Sequence, residues 1–320
     1  MNTARSMASA QDSSESSKDD STEDPTQEPA RDSMFSPDRD AVPVSMSPRN
    51  TAAPRIIPVP GNLLLDGLQP EDRALLDPYL DYVICERGET LFEVGASVRT
   101  IAFPCDQTVV SLMVVMRDGR GAETATVGRE GAVGGIVSSG FLPASTQAVV
   151  QLGGPLLRLD AHRLQEAKAR SPALRNLFTR YADCLLAQVL QSVACNALHP
   201  IEARCLRWLL TLQDRIGTET LPVTQELLAT MLGVQRTYLT RILRTLSRQG
   251  LIEVGRGRIT MRSRPQAEAA ACECHGVVRR HYEAVLGAIY GADGLLLAVE
   301  PPSGRSGSQD PRVLAAPEPA

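Results

Sequence analysis

The sequence lacks the marks of several large functional classes. No apolar run follows Arg5 near the start, so no secretory leader is expected. No window approaches the ~18 uninterrupted apolar residues that a membrane-spanning helix requires. Seven cysteines (Cys85, Cys105, Cys184, Cys195, Cys205, Cys272 and Cys274) are an odd number dispersed through the chain. That argues against a disulfide framework and for small buried hydrophobes. The four histidines (His162, His199, His275 and His281) include none beside a nucleophile motif such as G-x-S-x-G. The stretch GREGAVGG at 128–135 has no Lys-Ser/Thr to hold phosphate and magnesium. The expectation is a soluble, cytoplasmic protein that is not an enzyme and has no membrane partner.

What is present is unevenly distributed. The chain has 320 residues and a net charge of −4, a length that suits about two domains with appendages. Residues 1–50 carry ten acidic and five basic residues among many Ser, Asp and Pro. Such a segment buries too little apolar surface to offset its ordering entropy, so it reads as disordered. The tail PPSGRSGSQDPRVLAAPEPA has the same character. Between Ile201 and Arg264 the balance reverses, with eleven arginines against five acids, a local +6.

Between these ends the periodicity changes twice. A short helical pattern, GNLLLDGLQPEDRALLD, is followed by the apolar runs TLFEVG, RTIAFP, VVSLMVVM, ETATVG, TQAVVQL and PLLRL. Turn signals about every ten residues, including RDGRG at 117–121, predict an antiparallel barrel or sandwich. Ser171-Pro172 then opens a long helix, with Leu174, Phe178, Tyr181, Leu185, Val189 and Val193 at spacings of three and four. Leu177, Leu186 and Leu190 widen its apolar arc to roughly 200°. A helix on one surface needs a stripe only a little over ~100° wide. The excess predicts burial on two sides, against the barrel and against a second copy of the helix.

Four further helices and a hairpin complete the pattern. Pro200 to Ile216 is amphipathic and carries the only tryptophan, Trp208. Helices at 224–232 and 236–249 follow, then a hairpin in LIEVGRGRITM, then a final helix from Gln266 to Tyr290. If that last segment is one helix, Cys272 and Cys274 point about 200° apart and cannot chelate together. Cys272 and His275 would share a face, but two ligands are short of the usual four of a structural zinc, so no metal site is expected.

The stretch QELLATMLGVQRTYLTRILR meets the demands of two helices crossing steeply across a tight turn. Ala229 is the small contact residue and Gly233 the turn, while Leu228, Leu232, Val234, Leu239 and Ile242 supply the inner faces. On the second helix Leu239, Ile242, Leu243 and Leu246 fall within an arc of roughly 100°. Arg236, Thr237, Thr240, Arg241, Arg244 and Arg248 share another arc of roughly 140°, without an acid among them. A solvated helix usually mixes signs, so this face suits a polyanion. Arginine is also well shaped to grip the major-groove edge of guanine.

These motifs together resemble the Crp/Fnr family of bacterial transcription regulators over about residues 60–290. The most specific part is LPVTQELLATMLGVQRTYLTRILRTLSRQGLIEVGRGRITM, supported by GNLLLDGL, RGETLFEVG and VGREGAVGG. The resemblance implies an α+β chain with an N-terminal antiparallel β-roll like that of cyclic-nucleotide-binding domains, a long dimerisation helix and a C-terminal winged helix-turn-helix. The expected division is a disordered acidic arm at 1–57, a β-roll sensor at 58–170 and a dimerisation helix at 171–197. A winged helix-turn-helix at 198–265, a C-terminal helix at 266–292 and a disordered tail at 293–320 complete it.

The implied function is sequence-specific DNA binding by a homodimer at a palindromic operator, with RNA polymerase as a further partner the resemblance admits. Arg236, Thr237, Thr240 and Arg241 are expected to read bases, Arg236 and Arg241 matching DNA-contacting arginines of the family. Thr237 stands where well-known members carry a glutamate, which leaves base preference open. Thr224, Gln225, Arg244, Arg248, Arg256 and Arg258 are expected to contact phosphates. Leu174, Phe178, Tyr181, Leu185 and Val189 are assigned to the dimer helix.

The effector pocket is expected to be degenerate. Gly134 fits the glycine-rich turn of members that bind cyclic AMP. Gly135 stands where a ribose-binding glutamate is expected, and Ala144 or Ser145 where the phosphate-binding arginine should be. Arg129 is the nearby arginine that could substitute. The iron–sulfur branch carries cysteines near its N-terminus, and this chain has none before Cys85. No cofactor is therefore expected, neither cyclic nucleotide nor cluster. The competing function is a DNA-independent adaptor or small-ligand sensor that keeps the fold.

Overall fold

The structure, a computed structural model, describes residues 61–136 and 143–301. The expected arm over 1–57 and the tail beyond 301 lie outside the described residues. Helices α1 (Leu63–Asp66) and α2 (Pro70–Arg73) and a 3-10 turn at Asp77–Tyr79 lead into the sheets. The buried Asn62 side chain accepts from the Leu65 amide and donates to the carbonyls of Pro104 and Gly131, each at 2.8 Å.

Seven strands follow: β1 (Asp81–Cys85), β2 (Thr90–Phe92), β3 (Thr100–Pro104), β4 (Val109–Val115), β5 (Gly121–Val127), β6 (Gln147–Leu152) and β7 (Gly154–Asp160). They form two antiparallel sheets, in the orders β1-β7-β3 and β2-β6-β4-β5. The turn expected at 117–121 joins β4 to β5, and the Asp118 carboxylate accepts from the Arg120 amide at 3.0 Å. Strand β1 is not among the apolar runs of the sequence. It lies beside β7 with Tyr82 and Ile84 exposed, so only alternate positions face inward.

Helix α3 (Ala161–Arg170) closes the roll, and α4 (Pro172–Leu198) is the long helix. The Ser171 hydroxyl caps α4 by accepting from the Leu174 amide at 3.0 Å, as Ser before Pro favours. Burial divides α4 differently from expectation. Leu174, Phe178 and Tyr181 are fully buried in the chain's own core, against Phe103, Leu157 and Leu164. Leu185 packs partly into the same core. The exposed apolar side chains of α4 are Leu186 (55%), Leu190 (61%) and Val193 (62%), on a face turned roughly 120° from the buried one, and Leu198 (77%) at its end. Bulk explains the difference, because the large aromatic residues fill the gap between helix and roll. Gly131 allows this: a Cβ there would collide with the Tyr181 ring and hydroxyl.

Helix α5 (Ile201–Ile216) is followed by β8 (Thr220–Leu221), α6 (Gln225–Leu232), α7 (Arg236–Arg248), β9 (Ile252–Gly255) and β10 (Arg258–Met261). The expected hairpin gains β8 as a third strand, in the order β8-β10-β9. The single C-terminal helix expected at 266–292 is broken. α8 (Arg264–Ala270) ends at Ala271, whose extended backbone (φ −74°, ψ 164°) separates it from α9 (Cys274–His281). A π-helical turn at Tyr282–Leu286 then leads into β11 (Ala288–Tyr290) and β12 (Leu296–Val299), an antiparallel pair. The expected disordered tail therefore begins too early. Leu296 and Val299 are buried in the β-roll core.

The β-roll and the α5–β10 unit share a core in which Val109, Met113 and Leu152 meet Trp208, Leu228 and Leu232. A buried ion pair crosses the same boundary. Arg215 of α5 donates to Glu130 at 2.7 Å and to the Thr126 carbonyl at 2.9 Å. Removing one partner of a buried pair leaves an uncompensated charge. Glu130→Ala is therefore expected to lower unfolding free energy by about 3–5 kcal/mol, measured as an earlier midpoint in urea with circular dichroism.

Candidate nucleic-acid interface

Local chemistry builds the helix pair. Thr224 caps α6 by accepting from the Leu227 amide at 3.1 Å. Gly233 ends α6 in the left-handed region (φ 67°, ψ 34°), which only glycine enters without steric cost. The chain re-enters a helix at Arg236, and the Val234 amide bonds back to the Ala229 carbonyl at 3.0 Å. Leu228, Ala229, Leu232, Leu239, Ile242, Leu243 and Leu246 are all buried in one cluster. The apolar arc of α7 thus packs where its periodicity directs it.

The opposite arc is free. Arg236, Thr237, Arg241, Arg244 and Arg248 are exposed, as are Arg256 and Arg258 at the tip between β9 and β10. None of these arginines is in an ion pair among the described residues. The other basic residues of the segment are mostly engaged elsewhere. Arg215 pairs with Glu130, Arg262 with Glu253 and Arg264 with Asp214, while Arg204 donates to the Leu232 carbonyl at 2.9 Å. The unpaired positive charge is therefore concentrated on α7 and the hairpin tip. Unscreened by acids, it forms a surface that attracts phosphates.

Two expected contacts have local duties. The Thr240 hydroxyl donates to Gln225 Oε1 at 3.0 Å and lies 2.9 Å from the Arg236 carbonyl. Thr240 and Gln225 thereby tie α7 to the start of α6, and both are half-buried. Tyr238 was not among the expected residues. It is 40% exposed, and the Arg241 guanidinium lies 5.5 Å from its ring centroid. The i, i+3 spacing was the available signal, since residues three apart on a helix are neighbours. Stacking on an aromatic face restricts the orientation of Arg241.

The expected effector residues divide. Gly134, Gly135, Ala144 and Ser145 line a cavity of about 500 Å³ between the roll and α4, with Phe92 and Leu185 among its other walls. Arg129 is not among its lining residues. Its guanidinium donates to the Leu296 carbonyl of β12, and its main-chain carbonyl accepts from the Leu63 amide. No described lining residue is charged, and the chain carries no charged residue from 131 to 157. Side chains able to hold a metal gather elsewhere, where Cys195, His199, Cys272 and Cys274 meet.

Residues 203–267 match the Crp-like helix-turn-helix domain family. No match to the chain was found among curated proteins. Its fold is similar to that of FixK2 from Bradyrhizobium japonicum, at 14% identity and a TM-score of 0.54, covering 60% of this chain and 98% of that one. A Crp/Fnr-family structure from Eubacterium rectale is 17% identical with a TM-score of 0.52, covering 65% and 96%. The c-di-GMP responsive global regulator CLP of Xanthomonas campestris is 17% identical with a TM-score of 0.51, covering 60% and 98%. The chain thus has the β-roll, long helix and helix-turn-helix architecture of Crp/Fnr transcription regulators.

A cyclic nucleotide phosphate entering the uncharged cavity would lose its hydration without gaining a charge-assisted partner. Calorimetry with millimolar cyclic AMP or cyclic GMP is expected to show no binding heat. A micromolar dissociation constant would refute this reading of the cavity.

Proposed function

We propose that this chain, with its Crp/Fnr fold, is a homodimeric, sequence-specific DNA-binding transcription regulator whose effector is not a cyclic nucleotide. The observation that carries this reading is the acid-free face of α7, where exposed arginines lie unpaired on a helix fixed by its buried leucines. Arg236, Thr237, Thr240 and Arg241 approach base edges in the major groove. Thr224, Gln225, Arg244, Arg248, Arg256 and Arg258 hold phosphates. The described residues include no helix long and apolar enough to cross a membrane, and the working compartment is the cytoplasm.

Pairing follows from the reach of one helix-turn-helix. A single copy grips few base pairs, whereas a dimer places two on successive major grooves about 34 Å apart. The seam that suits this is the exposed strip Leu186, Leu190 and Val193, not the buried Leu174, Phe178 and Tyr181. Leu186, Leu190, Val193 and Ala197 are spaced by four, three and four residues, which matches a coiled-coil seam. An adaptor that never meets DNA has no use for the α7 arginines, and heparin retention of the full chain separates the two readings.

Arg241→Ala is expected to weaken binding to a selected site by about 1–3 kcal/mol and to relax one position per half-site. Arg248→Ala instead weakens binding to every sequence and flattens the salt dependence. Titrations of selected and scrambled duplexes at several salt concentrations distinguish the two effects. Wild-type affinity and slope in both variants would refute the docking.

Leu190→Asp places a charge on the exposed strip, where a lone subunit tolerates it and a desolvated seam does not. Sedimentation is expected to show a folded monomer that has lost the palindromic site. A stable dimer would exclude this seam.

A further inference from the structure

DNA recognition makes no use of four side chains that converge where α4 ends. Cys195 and His199 lie four residues apart, which puts them on one face of the last turn of α4. Cys272 lies in the break between α8 and α9, and Cys274 begins α9. Because that segment is not helical, the angular objection to their acting together does not apply. The four candidate ligand atoms all lie within 4.8 Å of one another. Cys195 Sγ is 3.5 Å from Cys272 Sγ, and Cys274 Sγ is 3.4 Å from His199 Nδ1. A tetrahedral zinc with bonds of about 2.3 Å to sulfur and 2.0 Å to nitrogen needs ligand separations of about 3.5–3.8 Å. Four atoms this close surround one ion and leave no room for a polynuclear cluster.

The surroundings support the same chemistry. His199 presents Nδ1 to the cluster, and its Nε2 faces the Glu273 carboxylate at 3.3 Å. A carboxylate on the far nitrogen is the usual device for orienting a zinc-ligating histidine. Gln191 Nε2 donates to Cys274 Sγ at 3.0 Å. All three cysteines are buried. Three thiolates and a dication carry net negative charge, and the charges of Arg204 and Arg207 reach Cys195. Nε of each arginine is buried without a hydrogen-bond partner. A merely apolar contact would not collect a histidine, its carboxylate and two arginines. A Cys195–Cys272 disulfide would leave Cys274 and His199 without a role.

We propose that Cys195, His199, Cys272 and Cys274 form a mononuclear Cys3His zinc site. Its ligands come from the end of α4 and from the α8–α9 break, while Cys272 Sγ also lies 4.0 Å from the Ala203 carbonyl of α5. The ion therefore fastens the C-terminal segment across the His199-Pro200 joint between the long helix and the DNA-binding unit. This inference does not depend on DNA binding.

The test uses the full chain purified under reducing conditions without chelator. Elemental analysis is expected to find one zinc per chain. Exchange for cobalt(II) should produce thiolate-to-metal charge transfer and the d–d bands of a tetrahedral site. Cys272→Ser and Cys274→Ser, folded by circular dichroism, should each lose zinc and the cobalt spectrum, whereas Cys85→Ser keeps both. Glu273→Gln should weaken zinc affinity about 10–100-fold. Hydrogen exchange after zinc removal should rise at residues 196–203 and 270–276 and stay unchanged in the β-roll. The proposal fails if the wild-type chain takes up neither metal, if both serine variants retain it, or if mass spectrometry finds Cys195 and Cys272 disulfide-bonded in the purified protein.

Discussion

The buried pair between Glu130 and Arg215 is the constraint around which the molecule is assembled. Glu130 sits in the turn after β5, and its carboxylate also accepts from the Gly128 amide at 3.1 Å. Arg215 reaches past it to the Thr126 carbonyl, which accepts from Gln188 of α4 as well, at 3.1 Å. One carbonyl thus receives a donor from each of the two helices that flank the His199-Pro200 joint. Gln188 in turn accepts from the Tyr282 hydroxyl at 3.2 Å, which brings the C-terminal segment into the network. Charges removed from water keep their place only while their partners are held, so roll, long helix and helix-turn-helix unit are fixed together.

A second buried cluster repeats this logic. Asp214, next to Arg215 in sequence, accepts from Arg264 at 2.6 Å and faces His275 Nε2 at 2.8 Å. Burial alone would raise its carboxyl, but the hydrogen bond and charge of His275, with Arg264 and Arg279, hold it below its ordinary value. Its contribution is present above the unfolded carboxylate range and is lost as pH falls through the lowered folded value. Adjacent residues of α5 therefore face opposite ways, Arg215 to the β-roll and Asp214 to α8 and α9. Acids neutralise Arg215, Arg262 and Arg264 of the arginine-rich segment, while the arginines of α7 and the hairpin tip stay charged and exposed.

How far the sequence could be read depended on whether local pattern or tertiary context decided the outcome. Helix α7 was legible because Leu239, Ile242, Leu243 and Leu246 recur with helical period and define its opposite face. Gly233 marked the turn for a reason of backbone geometry alone. The α4 faces were less legible, because period identifies apolar positions without saying which neighbour covers them. Phe178 and Leu190 look alike in sequence, yet the β-roll covers the first and no described residue covers the second. At the C-terminus the pattern misled. QAEAAACECHGVVRRHYEAVL favours helix throughout, and the break at Ala271 follows from packing against α4 and α5. That break brings Cys272 and Cys274 together, where one continuous helix would have pointed them apart. Strand β1 was obscured because its outward face carries Tyr82 and Ile84.

The cavity beside α4 has a wall with two sides. Leu186 lines it and is also among the most exposed apolar residues of the helix. Val189, one turn further, lines it too. A molecule lodged there would press on the same side chains that a second helix would cover. Reciprocity then binds the two events: whatever factor the guest adds to helix pairing, pairing adds to the affinity for the guest. If the helix pairs as proposed, occupancy and association would meet at Leu186 and Val189, with no signal carried through the β-roll.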